Sequence, residues 1–366
     1  MYIKNLKLVN FRNYDMLNVE FNSKVNILTG NNAQGKTNIL ESIYYCSLAK
    51  SHRTSKDKEL IKWDKEDSYI SLYVCKERID KKIEIKIFKS GKKGVNVNSI
   101  KLKKVSELFG IFNVVMFAPE DLKIVKDSPS YRRRFLDIEL SRLNPKYYYQ
   151  LVQYHKVLDQ RNISLKNKKL FESGIIDVYD RQLSNLGAYI IKQRESYLKE
   201  LNSKGKIIHF DITDKKEEIE FEYITSVENI QNVSEELYNR LVKNRQKDSE
   251  KGNTSIGPHR DDFSIKINKI DTRSFGSQGQ QRTAILTIKF ASMEIIKSLT
   301  GDSPVLLLDD VLSELDINRQ KYILNSLNGI QTLITCTGIE DIKSYINKDF
   351  KIFKISNGSI IESNEF

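Results

Sequence analysis

Residues 30–37 read Gly-Asn-Asn-Ala-Gln-Gly-Lys-Thr, two glycines, a lysine and a hydroxyl at the spacing GxxxxGK[ST]. Gly30 and Gly35 let the backbone curl, so that the N–H groups of Asn31, Asn32, Ala33 and Gln34 turn inward toward phosphate oxygens. Lys36 adds a mobile positive charge for the terminal phosphates, and the Thr37 hydroxyl can ligate Mg²⁺. An apolar run, "VNIL", precedes the loop. From Lys36 and Asn38 onward the apolar residues fall at helical spacing, so the positive end of a helix faces the same anion. The stretch 30–38 is expected to hold a nucleoside triphosphate.

A second piece decides what is done to it. Val305 to Asp310, "VLLLDD", is an apolar strand ending in two acids. Beside a phosphate loop, Asp309 would hold Mg²⁺ through water and Asp310 would orient or deprotonate the attacking water. A third piece is "SFGSQGQQRTAIL", residues 274–286, where Ser277, Gln278, Gly279 and Gln280 open an amphipathic helix. They make either a second anion-binding helix end or an ordinary N-cap. Two cradles in one chain can be used across a two-fold axis, each copy covering the other's nucleotide.

The elements that must position these residues come from both ends of the chain. "YIKNLKLVNF", "LNVEF" and "KVNILTG" read as strands, and residues 68–103 as a meander with turns at "ERID" and "SGKKG". From about Pro119 the period becomes 3.6. "IIHFDI" (207–212) and "EIEFEYI" (218–224) read as strands inside this helical stretch. A helix follows near 234–247, then a strand at 263–267, a helix at 280–299, the strand "VLLL", another helix, the strand "TLITC" and a hairpin. The expected fold class is α/β, with an ATPase domain assembled from residues 1–117 and 251–366 around a mostly helical lobe at 118–250.

Lysine plus arginine exceed aspartate plus glutamate by 12 among 366 residues, which makes a polyanionic partner reasonable. Lys92 and Lys93 at a hairpin tip, and Arg132 and Arg133 in "YRRRF", are the candidate contacts to a nucleic-acid backbone. Solvated turns would look the same. The aromatic run 146–155 reads as core. Nothing approaches a membrane span or a signal peptide, so no membrane partner and a cytoplasmic location are expected. Cys46, Cys75 and Cys336 have no metal or disulfide spacing. "HRD" at 259–261 lacks the asparagine of a kinase loop, Lys266 standing in its place.

In order along the chain, these pieces resemble ABC-type ATPase heads, including those of SMC proteins, with "SELD" at 313–316 after the acids. Within that group the chain looks like the RecF family of bacterial recombination mediators, through "LVNFRNY", "GNNAQGKTNILE", "FAPEDL", "SPSYRRRFLD", "GPHRDDF", "SQGQQR" and "LLLDDVLSELD". The resemblance implies ATP and Mg²⁺ as cofactors, and an ATP-dependent homodimer that clamps DNA at gapped, single-strand/double-strand junctions. It implies RecO, RecR and RecA as partners, in repair, replication restart and the SOS response. Lys36, Asp309 and Asp310 would be catalytic, Thr37 and Asp309 would serve the metal, Ser277, Gln278 and Gly279 would reach the partner's nucleotide, and Asp316 would lie at the dimer seam. Two departures from transporter ATPases predict slow hydrolysis: no histidine follows "TLITC", where Thr335 and Thr337 stand, and Asp310 replaces a glutamate. A module that uses ATP only to assemble is the alternative. No sustained heptads separate the two halves, so this is a head without an arm.

Overall fold

A computed structural model of the chain describes residues 1–228, 232–312, 315–327, 329–338 and 349–365. The chain forms two compact units, Met1–Asp121 with Lys289–Phe366, and Leu122–Ile288.

In the first unit, β1 (Tyr2–Phe11), β2 (Tyr14–Glu20), β4 (Asp67–Cys75), β5 (Lys81–Phe88), β6 (Lys93–Val97) and β7 (Ile100–Lys101) form an antiparallel sheet in the order β2-β1-β4-β5-β6-β7. Alternation gives it one buried face, with Ile83, Ile85 and Ile87 inside and Lys82 and Lys86 outside. The other sheet runs β15 (Ser359–Glu365), β14 (Phe350–Ser356), β3 (Val25–Thr29), β13 (Thr332–Cys336), β12 (Val305–Asp309), β8 (Val114–Phe117). Its neighbours from β14 to β8 pair in parallel. Parallel strands are covered on both faces, which is why "VLLL" and "VNIL" carry no alternation: every residue of β3 and β12 is buried. Each buried leucine contributes about 1.5–3 kcal/mol. After β3 the chain turns through the glycine loop into α1 (Lys36–Leu48).

The second unit is mostly helical. After the single turn α2 (Lys123–Lys126) come α3 (Pro129–Leu143), α4 (Pro145–Lys166), the short α5 (Lys168–Glu172), α6 (Ile175–Ile212) and α7 (Val233–Lys251). A small sheet, β11 (Ile270–Asp271), β10 (Asp262–Ile267), β9 (Ile219–Ile224), and the short α8 (Thr272–Phe275) complete it. Its interior holds charge: Arg161 is fully buried, with Nε 2.6 Å from Asp180 and Nη1 2.8 Å from Asp248 and 2.9 Å from Thr254.

One expectation is corrected here. "IIHFDI" is the last stretch of α6, not a strand, because Leu201, Gly205, Ile208, His209 and Ile212 bury one helical stripe that overrides their β propensity. The segment 277–280 falls within the second unit. The remaining helices are α9 (Gln278–Thr300) and α10 (Ile317–Asn325). Among the described residues no helix is long and apolar enough to cross a membrane.

Candidate nucleotide-binding site

The parallel register sets the site. β13 pairs Cys336 with Thr29 of β3 on one side and Thr335 with Asp309 of β12 on the other, so the glycine loop and the acid pair meet at the same strand ends. Strand ends of this kind are where open α/β sheets bind ligands.

The loop needs its glycines. Gly30 has φ 144° and a Cβ there would collide with the Ile355 backbone oxygen; Gly35 has φ 115° and a Cβ would lie 2.8 Å from the Tyr14 hydroxyl. Lys36 is buried, and its Nζ bonds the loop carbonyls of Gly30 at 2.5 Å and Asn31 at 3.1 Å, which holds the ammonium over the cradle. Asn31, Asn32 and Ala33 are exposed, while Gln34, Thr37 and Asn38 are half-buried.

Across the loop, the Thr37 hydroxyl donates to Asp309 Oδ1 at 2.9 Å. Thr335 donates to the same oxygen at 2.8 Å, and its Oγ1 accepts the Asp310 N–H at 2.9 Å. The residue that stands near the expected switch position is therefore the one that joins the two acids. Burial, and then the nearby carboxylates of Asp310 and Glu120, push the Asp309 carboxyl above its ordinary range against these two hydroxyl bonds. A buried carboxylate held by hydroxyls, with acids close by, fits a hard divalent cation. Thr37 and Asp309 offer a hydroxyl and a carboxylate oxygen side by side, the donor types with which Mg²⁺ sites complete a shell of phosphate and water.

A buttress behind the loop was not foreseen. At the β1–β2 turn, Arg12 clamps Glu41 of α1 through Nε at 2.9 Å and Nη2 at 2.7 Å, and Ser51 donates to the same carboxylate at 2.6 Å. Asn13 Nδ2 reaches the Gln34 carbonyl at 3.0 Å, Tyr14 donates to the Gly35 carbonyl at 3.1 Å, and Asn38 donates to Asn13 at 2.8 Å. The β14–β15 turn adds bonds from the Asn357 N–H to Gln34 Oε1 at 2.6 Å and from the Gly358 N–H to the Gln34 carbonyl at 3.1 Å. The blocks "FRNY" and "GKTNILE" thus touch each other. Only their order along the chain, not this pairing, was visible beforehand.

In the helical unit, Ser277 caps α9. Its Oγ accepts the Gln280 N–H at 3.2 Å while Gln280 Oε1 accepts the Ser277 N–H at 3.0 Å, a reciprocal capping box. Glu217 Oε1 fixes the other end of Gln280 through Nε2 at 2.8 Å. Ser277 and Gln278 are exposed, Gly279 is half-buried, and the Ser277 hydroxyl keeps its proton to donate outward. Asp316 caps α10, accepting the Arg319 N–H at 3.0 Å and pairing with its guanidinium; Ser313 and Glu314 of "SELD" lie outside the described residues.

The basic candidates divide. Arg132 is buried and paired with Asp262 through Nε at 2.6 Å and Nη2 at 2.9 Å, so it is a structural cation and not a free phosphate contact. Lys93 bonds Asp57 at 2.7 Å and the Ala49 carbonyl at 2.5 Å, which withdraws it likewise. Lys92 is exposed and Arg133 half-buried.

Comparison with known proteins accords with this arrangement. A family model described as the RecF/RecN/SMC N terminal domain matches residues 2–360. The DNA replication and repair protein RecF of Clostridium acetobutylicum is 68% identical over 362 residues, covering 99% of this chain and 100% of that protein. RecF of Clostridium novyi is 64% identical over 360 residues, covering 98% of this chain and 99% of its own length. A solved structure of the recombination mediator RecF with ATP, in the RecFOR pathway, superposes with TM-score 0.90 at 40% identity, covering 100% of this chain and 97% of that one. An Smc head from Pyrococcus furiosus, at 15% identity and TM-score 0.58 over 100% of this chain and 96% of that one, shares the fold. The glycine loop, the paired acids, the helix-capping serine and this end-to-end likeness lead to one assignment: the chain belongs to the RecF family of DNA replication and repair proteins, on the α/β head fold of the SMC-type ATPases.

Proposed function

We propose that this chain binds ATP with Mg²⁺ at residues 30–38, that ATP joins two copies, and that the joined pair grips DNA at gapped, single-strand/double-strand junctions as a recombination mediator. The convergence of Thr37 and Thr335 on Asp309, next to Lys36, is the observation that supports it most. Lys36 and the loop N–H groups bind the β- and γ-phosphates, Thr37 and Asp309 hold the metal, and Asp310 orients the attacking water. Held by Thr37 and Asp309, Mg²⁺ would supply charge neutralisation at the phosphates.

The exposed Ser277, Gln278 and Gly279 of one copy cover the other's γ-phosphate, with Asp316 at the seam. Closure of the pair presents Lys92 and other basic groups to the duplex, and hydrolysis, slow because Asp310 is short and no histidine assists it, releases the grip. RecO and RecR act with the bound pair to load RecA in the cytoplasm.

Sedimentation tests this. The wild type should dimerise with ATP and Mg²⁺, and not with ADP, and the dimer should hold gapped DNA more tightly. Ser277→Arg should abolish dimerisation while nucleotide still binds. A protein that remains monomeric at saturating ATP and binds gapped DNA equally well without it refutes the reading. Lys36→Arg decides between switch and assembly module: repair that survives fully with turnover abolished favours the module.

A further inference from the structure

The block "GPHRDDF" lies in the second unit. Its first residues form one wall of a 240 Å³ cavity within the helical unit, lined also by Arg133, Asp137, Tyr154, His155 and Arg194. Gly257 has φ 125°, and a Cβ there would strike the Tyr154 hydroxyl, so the block is shaped around that tyrosine.

Four of the polar groups in this cavity, His259, Tyr154, Arg194 and Asp137, are already committed. His259 Nε2 lies 3.0 Å from the Thr254 carbonyl, which can only accept, so Nε2 carries the proton and Nδ1 accepts from the Tyr154 hydroxyl at 2.7 Å. Burial pushes this imidazole down to about 4, and it is neutral at physiological pH. Arg194 is fully buried and spends its guanidinium on the Tyr147 hydroxyl at 3.1 Å, the Pro258 carbonyl at 2.6 Å and Asp137 at 2.8 Å. Asp137 Oδ1 takes both Arg194 and the Tyr147 hydroxyl.

Arg133 is different. It is half-buried and donates one bond, from Nη1 to the Asp261 carbonyl at 2.8 Å. Among the described residues it has no carboxylate within ion-pair distance, and its other N–H groups have no acceptor. Its charged neighbours are Arg194 and Arg260 on one side of the balance and Asp262 and Asp137 on the other, and burial followed by the Arg194 charge depresses its pKa against the two carboxylates. The adjacent Asp262 carboxylate is already held by both nitrogens of Arg132. Two guanidinium groups therefore face the cavity against one carboxylate, and the fork of one of them is open. The exposed His155 lies at its rim. The volume falls below the ~300 Å³ at which drug-sized ligand pockets begin, which suits one small polar group.

We infer that this cavity is an oxyanion site that takes a single phosphate group, the open fork of Arg133 binding two of its oxygens and His155 closing the rim. The phosphate can come from a nucleic-acid backbone or from a free phosphate ester. The inference goes beyond the proposed function and does not require ATP or dimerisation.

Two titrations of the full-length protein without ATP test it. Inorganic phosphate, added in chloride buffer and followed by calorimetry, should bind the wild type and bind Arg133→Met about tenfold more weakly. Gapped duplex DNA, titrated across a salt series, should give a slope of log K against log salt that falls by about 1 in the variant. A loss in both readouts, or in the DNA slope alone, assigns the site to the nucleic-acid backbone; a loss of phosphate affinity alone assigns it to a free phosphate ester. If neither readout moves, the inference is overturned. Circular dichroism checks folding, and His155→Glu, which adds a negative charge at the exposed rim without removing a bond, should weaken the same readouts if Arg133→Met does not fold. Failure of the wild type to dimerise with ATP would refute the proposed function and leave this result standing.

Discussion

Thr335 carries more of the acid pair's geometry than its residue type suggests, since one hydroxyl donates to Asp309 and receives the Asp310 N–H. Thr335→Val keeps the shape and removes both bonds. Leaving those buried groups unpaired costs about 1–3 kcal/mol. Turnover measured with saturating ATP should fall by roughly tenfold or more, since 1.36 kcal/mol in the barrier is a factor of ten. Nucleotide affinity, which on the proposed reading rests on Lys36 and the loop amides, should change little. Unchanged turnover would remove Thr335 from the site.

Glu41 offers a pH test at the same scale. Burial alone would raise its carboxyl, but the Arg12 guanidinium and the Ser51 hydroxyl overcome burial and hold it below the ordinary carboxylate range. A depressed folded-state value stabilises the protein above the unfolded value, and the gain is lost as pH falls through the folded one. Arg12→Met removes the closer of two guanidinium partners of a buried charge, Arg53 remaining at 3.5 Å, and should cost about 1.5–3 kcal/mol at neutral pH. In urea melts the gap between wild type and variant should be full at pH 7 and narrow below about pH 4. A gap constant with pH would assign the loss to packing.

Among the elements, the helical unit is organised by a buried ion cluster as much as by apolar stripes. Arg161 on α4 joins Asp180 on α6 to Asp248 on α7, and Arg245 on α7 returns to Asp180 at 2.6 Å. Arg161→Met removes the guanidinium of the buried Asp248 and leaves Asp180 with Arg245 alone, and should destabilise the protein by about 3–5 kcal/mol in urea denaturation; a loss under 1 kcal/mol would mean that the carboxylates find other partners.

Legibility divides along the same line. The glycine loop and α1 were readable because glycine spacing and helical period act between near neighbours. So was β12, whose burial on both faces leaves an unbroken apolar run up to Asp309. The last stretch of α6 was misread because Ile207, Ile208 and Phe210 favour a strand until a stripe running back to Leu201 decides otherwise. Arg132 was misread because its partner, Asp262, is 130 residues away, and no local pattern announces such a pair. The Arg12–Asn13–Tyr14 buttress depends on a strand turn meeting a loop, which is likewise tertiary. Ser277 fitted two readings, and the capping box realises one of them without using up its hydroxyl proton.

For the whole molecule, the discontinuous first unit and the continuous second one should unfold in more than one calorimetric step. At protein concentrations too low for dimerisation, ATP at about 100 times its Kd should raise the step of the unit that contains residues 30–38, by about 2.7 kcal/mol, and leave the other unmoved. A single transition that shifts as one body would contradict this.

The central position of β3 has a consequence for synthesis. Its two neighbours, β13 and β14, come about 300 residues later, and the turn that steadies Gln34 follows them. While the chain is still emerging from the ribosome, this apolar strand has both edges unpaired. The nucleotide pocket therefore cannot close until nearly the full length has been translated, and a prematurely terminated product would expose β3 as a seed for aggregation.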